Sequence, residues 1–462
     1  MIKEKPSDIQ IWTGIFIYTL ITGLLIQLIL LPYVFPGLHA GNGLLKGLDS
    51  VGFNKGVMES YRAIKSQGWS AWLIKPEGQV VIGIASIFYV LISPHPWAVL
   101  PLNAVLNASG GLALFKILLS FGASRKKTLI SILPYVFFPT ALLWNSQFHN
   151  DCYMVPGVLL FLLGWIRLAA SENWFKWKII IKGSLLIAIG SLLIWFVRDY
   201  ALSVLSILSF IVLIAILGKL IYEIKIKRHS FKQVIIFIFL LSIIEGYLFF
   251  LPFLKISGQE NKFTFEKTKV AAAFTSEQLP NKGQHQRFWN ETPWLPGFID
   301  NEVEKLIQTR RSAINITGSS NIDVDVKFTS TVAVIKYLPR AMEIGFLAPF
   351  PEQWTEKGTK EASYFMRLAS GAEMFILYVC WIGLIPFFWK HKKTFLLYIV
   401  LIFCCGMILV YTIAVVNVGT LHRFRFSYLM SLASMGILGW FEIKVLLSKY
   451  IFTDKNKVVT QG

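Results

Sequence analysis

Charge is scarce in this chain. Only 15% of the residues are charged while 55% are hydrophobic, and the mean hydropathy of +0.58 leaves too little polar surface to wrap a water-soluble globule. Acids are the scarcer sign, 26 Asp and Glu against 45 Lys and Arg, for a formal net charge of +19. The basic residues sit in short clusters between apolar runs, where they set topology and meet anionic lipid head groups, so membrane lipids are the expected partner and nucleic acid is not. Cysteine is also sparse. Cys152, Cys380, Cys404 and Cys405 lie in or beside apolar runs without metal-ligand spacing, which excludes a disulfide framework and a structural zinc site. The chain has no phosphate-binding P-loop, dinucleotide fingerprint, zinc-protease helix or Ser-His-Asp spacing, so nucleotide-driven chemistry has no support. No period of about 20 to 50 residues marks a repeat protein.

What the chain does have is a succession of apolar runs near 11–33, 98–119, 128–145, 153–171, 179–197, 201–222, 233–253, 372–389, 394–416 and 427–447. Each approaches the roughly 20 residues that a bilayer-spanning helix needs. The first follows Lys3 and Lys5, exceeds a signal-peptide core and lacks a small-residue cleavage site, so it is expected to be a retained helix. An eleventh run at 80–93 is short, and charge decides its role. If it crossed, the clusters at Arg125 to Lys127, Lys225 to Arg228 and Lys390 to Lys393 would face away from Lys3 and Lys5; if it does not, all share one side. The expected fold is therefore an all-α polytopic membrane protein of about ten transmembrane helices with both termini cytoplasmic, and 80–93 lies against the outer leaflet.

Three regions then face outward: a first loop at 34–97 with interfacial helices, a tight turn at Asn145 to Asp151, and a long segment at 254–371. The long one carries Pro280, Pro293 and Pro296 and a Val/Ile/Thr alternation from Ile322 to Val334, which predicts a partly ordered cap of mixed structure with a small strand pair. The stretch from Ala348 to Trp354 has the prolines and aromatics of a segment packed at the membrane interface. The chain divides into 1–253, a transmembrane module with the first outer loop; 254–371, the cap; and 372–462, the last helices and a cytoplasmic tail.

Ionisable groups at a membrane boundary are costly, which makes them candidates for function. Asp49 lies in the first loop among glycines at 41, 43, 47 and 52. It is either the cap of a helix running from Gly52 to Gln67 or a general base for an incoming hydroxyl. His149, Asn150 and Asp151 occupy a turn between two apolar runs, on the same face as Asp49 by parity, with Asp151 also placed to begin a helix. Arg198 and Asp199 sit between aromatics at another outer turn, either neutralising one another or holding a phosphate. His422, Arg423 and Arg425 alternate with aromatics at the outer mouth of the last run, against the charge bias, and call for an anionic partner such as a phosphate or pyrophosphate. Lys75 and Glu77 read as anchors beside the run at 80–93.

These residues, in this order, resemble the bacterial polytopic glycosyltransferases of the GT-C class, the protein mannosyltransferase-like and aminoarabinose transferase-like group. The match rests on Asp49 with Phe53 after the first helix, Pro94 to Trp97 followed by Leu102-Asn103, the basic turn Arg125 to Lys127, Pro139, Asp151 in an outer turn, and Asn417, Gly419, Thr420, Arg423 and Arg425 near the end. It covers most of the first 200 residues and a late piece, and it departs where Ser50 replaces the frequent Glu and where the outer turn reads His149-Asn150-Asp151. The resemblance implies a plasma (inner) membrane enzyme that moves a sugar from a polyprenyl-phosphate donor to a hydroxyl of a glycan, lipid or protein acceptor, with inversion, in surface glycan synthesis. It implies Asp49 and Asp151 as catalytic residues, His149, Arg198, Asp199, His422, Arg423 and Arg425 around the phosphate, and a divalent cation only in relatives that use one. Two other classes fit the same outline. A polymerase of lipid-pyrophosphate-linked repeats would depend on the arginines and tolerate loss of Asp49; a non-enzymatic lipid-linked sugar flippase would carry charges through the middle of its spans.

Overall fold

A helix rises 1.5 Å per residue and a bilayer's hydrocarbon core is about 30 Å thick, so length and apolarity together identify the crossings. The computed structural model describes residues 6–170, 176–227, 231–254, 289–314, 320–356 and 361–459; Lys3, Lys5, Arg228 and Pro280 lie outside them. Among the described residues, nine helical segments pass the test: Asp8–Val34, Pro96–Leu119, Asp151–Ala169, Trp177–Val197, Asp199–Glu223, Val234–Phe253, Tyr364–His391, Phe395–Ala414 and Phe426–Ile443. A tenth is broken. Arg125–Phe137 and Pro139–Asn145 meet at 64°, where Pro139 has no N–H to continue the preceding turn. Arg125 bonds the Pro6 carbonyl (3.0 Å) and Asp8 (2.8 Å) at the start of the first helix, while Gln147 bonds the Gly43 carbonyl (3.1 Å), beyond that helix's other end. The bent pair thus runs from one end of the first span to the other. The protein is an all-α polytopic membrane protein of about ten spans, and an even count puts its termini on one side.

The helices follow as α1 (Asp8–Leu25), α2 (Asp49–Gln67), α3 (Val80–Leu91), α4 (Leu100–Leu119), α5 (Arg125–Ser131), α6 (Leu133–Phe137), α7 (Pro139–Asn145), α8 (Asp151–Ala170), α9 (Trp177–Val197), α10 (Asp199–Lys227) and α11 (Phe231–Phe250). After the outer segment's α12 (Gly297–Ile314) and α13 (Thr331–Leu347) come α14 (Glu361–His391), α15 (Phe395–Ala414), a short seven-residue α16 (Val418–Phe424) and α17 (Phe426–Val459). The 12 residues of α3 make a helix too short to cross, and it packs on α2 within the first loop, with Tyr89 donating to Asn54 at 2.5 Å.

The centre is α8, 89% of whose span is buried. Lipid is as apolar as leucine, so helices associate in it through close packing rather than through water exclusion. Glycines seven apart supply that between α8 and α9: a Cβ at Gly164 would stand 2.7 Å from the Gly183 carbonyl, and one at Gly190 would stand 2.6 Å from that of Gly157. Phe161, Trp165 and Phe403 continue the core from α8 to α15.

The outer segment corrects one expectation. The strand pair predicted from Ile322 to Val334 does not form: Asp323 adopts a φ of 50°, breaking the extended run, and Thr331 already begins α13, capped by Ser330. What remains is one isolated bridge, in which Ile322 donates to the Val416 carbonyl (3.0 Å) and Val418 to that of Ser320 (2.9 Å). Buried Arg310 strengthens the join, donating to the carbonyls of Ile413 (3.1 Å) and Asp323 (2.7 Å). The outer segment is thereby stitched to the chain that leads into α16.

Candidate active site

The turn at 145–150 is held from below by buried amides. Gln27 donates to the Ser146 carbonyl (2.6 Å), and Asn103 donates to those of Asn145 and Gln147 (both 2.9 Å). Gln147 then reaches across to the first loop: its Oε1 accepts from the Leu45 amide (3.1 Å) and the Ser50 hydroxyl (3.3 Å), and its Nε2 donates to the Gly43 carbonyl. Gly43 is required here, since its φ is +75° and a Cβ would lie 2.6 Å from the Gln27 carbonyl oxygen. One clamp thus fixes the start of α2 against the start of α8.

At that junction Asp49, Asp151, Arg198 and Arg423 meet, far apart in sequence and joined by direct bonds. Arg423 Nη2 lies 3.1 Å from Asp49 Oδ2, and its Nε lies 3.1 Å from Asp151 Oδ2. Arg198 bonds Asp151 Oδ1 at 2.6 Å and lies 3.9 Å over the Phe424 ring. His149 Nδ1 is 2.7 Å from Asp151 Oδ2, which assigns the ring proton to Nδ1 and leaves the buried Nε2 as an acceptor without a partner. Exposure separates the two acids: the Asp151 side chain is 1% exposed, that of Asp49 34%, with Arg423 at 22%. A cavity of about 10 Å³ beside Asp151, lined by Asn107, Tyr135, Trp144 and Phe426, has room for one water and none for a sugar. The cluster opens to its surroundings on the side of Asp49 and Arg423.

The charges interact strongly. Burial works to raise the Asp49 carboxyl, but the cations beside it, Arg423 first, outweigh burial and hold it below the ordinary carboxylate range. Burial pushes His149 below the ordinary imidazole range, reinforced by Arg423 and opposed by Asp151. Arg198 is pushed up, its burial outweighed by Asp151.

Short α16 distributes successive side chains to different partners. Asn417 caps it through the Thr420 amide (3.0 Å) and is itself held by Ser320 (3.0 Å) and Asn321 (3.1 Å). His422 turns to Glu373, Arg423 to the two aspartates, and Phe424 to Arg198. Arg425 departs from its expected place by the phosphate. It is fully buried and donates to the carbonyls of Ile344 (2.7 Å), Gly345 (2.6 Å) and Ala348 at the C-terminal end of α13, where the helix's last carbonyls run short of backbone donors. His422 also points inward, to Glu373 Oε2 at 3.0 Å. Asp199 is exposed and accepts from the Tyr200 amide (2.8 Å), while Arg198 pairs with Asp151 instead.

Asp49 does not cap α2. The helix begins at Asp49 itself, Leu48 is the capping position, and the carboxylate is free for Arg423 while still favoured by the helix's positive end. Glu373, Thr140 and Gln147 are not singled out by the sequence because each sits inside or beside an apolar run; a lone carboxylate within a span was the signal available for Glu373. Among the described residues no group of three His, Cys, Asp or Glu side chains is arranged to hold a metal ion, and both Asp151 oxygens are occupied by cations or His149. Comparison with protein-family models, with curated proteins and with solved structures found no match to this chain.

Proposed function

We propose that this protein is a plasma-membrane glycosyltransferase that moves a sugar from a polyprenyl-phosphate donor to an acceptor hydroxyl on the face bearing Asp49. The observation that carries this reading is the partly exposed Asp49 joined through Arg423 to the buried Asp151 and Arg198. An acid open to solvent stands beside a cation whose other partner anchors it, which is what proton removal next to a leaving phosphate requires. In the step itself, Asp49 takes the acceptor's proton as its oxygen bonds the sugar's C1. The C1–O bond to phosphate breaks with inversion, and the lipid phosphate leaves with the electron pair.

Arg423 serves both halves of the reaction. Bound to Asp49 it suppresses the basicity of that carboxylate; drawn toward an incoming phosphate, it releases the base and meets the charge that grows on the leaving group. Asp151 is closed to an acceptor and acts by holding Arg198, Arg423 and His149. The basic clusters between spans orient the opposite face to the cytoplasm. Replacing Asp49→Asn in cells is expected to abolish the surface glycan while the protein still inserts. Full product from that variant overturns the reading, and product that survives Asp49→Asn but not Arg423→Gln favours a polymerase of lipid-pyrophosphate-linked repeats.

A further inference from the structure

Glu373 lies within the α14 span, 1% exposed, where an ionised carboxylate is costly unless fully bonded. Its partners come from two other elements. Thr140, directly after the break between α6 and α7, gives its amide to Oε1 and its hydroxyl to Oε2, both at 2.7 Å. His422 Nε2 stands 3.0 Å from Oε2, and because a carboxylate only accepts, that nitrogen carries the proton. The bent span, α14 and α16 therefore meet on one side chain.

We propose that Glu373 is a positioning residue, which through His422 fixes the rotation of α16 and so aims Arg423 between Asp49 and Asp151. Successive residues of an α-helix project about 100° apart, so a helix of seven residues with one ring pinned cannot roll without swinging its neighbour. The other holds on α16 act on different coordinates. Asn417 ties its first turn to the outer segment, and Phe424 lies against Arg198, which is itself bound to Asp151. The direction of Arg423 away from these is set by the hydrogen bond from His422 to Glu373, which crosses to α14. Thr140 adds a reason for a carboxylate rather than an amide: two Thr140 donors and the imidazole N–H require an acceptor at every position, and glutamine would turn a donor toward one of them.

The proposal concerns the geometry of Arg423 and rests on the glycosyltransferase reading only for its consequence in catalysis, so its test begins without a substrate. A water-soluble carbodiimide labels protonated carboxyls, and Asp49 is exposed enough to react; labelling of Asp49 in the purified full chain is followed by mass spectrometry against pH. Arg423→Gln removes the cation and moves the labelling midpoint up. Glu373→Gln and His422→Asn are each expected to move it the same way, labelling Asp49 about tenfold faster at a fixed pH, as a one-unit shift requires. The double variant is expected to add nothing further, because both changes cut one connection. His422→Asn leaves the Glu373 bonds to Thr140 in place and guards against loss of fold in the other variant. A wild-type labelling profile in both single variants, with only the melting temperature lowered, overturns the proposal. Transfer assays then separate the two claims: a labelling shift in variants of a protein that transfers no sugar supports the strut and removes the glycosyltransferase reading. Where transfer occurs, the KM for donor rises and that for acceptor stays.

Discussion

Asp49 and Asp151 share Arg423 but differ in what their loss does. Asp151 is buried beneath three donors, so Asp151→Asn strands Arg198 in the interior and is expected to cost about 3 to 5 kcal/mol, read as a lower melting temperature in detergent. Asp49 is partly exposed with one partner, and Asp49→Asn is expected to cost no more than about 1 kcal/mol. The pH dependence follows from the depressed Asp49 carboxyl. Its ion pair contributes stability above the unfolded carboxylate value and loses it as pH falls through the lower folded value. Arg423→Gln leaves burial as the larger influence, so the acid limb of kcat/KM is expected to move to higher pH; an unmoved limb shows that Asp49 is not the titrating base. Parity and charge bias made Asp49, Asp151, Arg198 and Arg423 legible together. The same bias drew Arg425 toward the phosphate, because a sequence does not show that a helix end elsewhere needs its guanidinium.

At the scale of elements, spans were legible and side-chain traffic between them was not. The runs at 11–33 and 98–119 became Asp8–Val34 and Pro96–Leu119, since a continuous apolar stretch of that length has few alternatives in a bilayer. The alternation at Ile322 to Val334 misled because a period of two says nothing about Asp323 at positive φ or about the Ile413 carbonyl of α15 that Arg310 came to fill. The pairing of α8 with α9 depends on glycine at Gly190, where a side chain would meet the Gly157 carbonyl and the Phe161 backbone. Gly190→Val is expected to cost about 1 to 3 kcal/mol and to lower the melting temperature without changing the pH profile of Asp49, since it parts two helices without touching Arg423.

Across the whole molecule, the nine spans among the described residues, with the bent pair counted as a tenth, put the first loop, the turn at 146–150, Arg198, the outer segment and α16 on one face. That sidedness is what lets four residues from positions 49 to 423 form one cluster. A reporter fused near residue 95 is expected to be external, and a cytoplasmic signal would require α3 to cross and would separate Asp49 from Asp151. The central claim is that this cluster transfers a sugar with Asp49 as the base. Its most direct measurement is the initial rate of transfer from a radiolabelled polyprenyl-phosphate sugar in proteoliposomes, wild type against Asp49→Asn. The expected result is a loss of about 100-fold or more, the scale of general-base catalysis, with the variant folded and inserted. A variant within a few-fold of the wild-type rate would contradict the account.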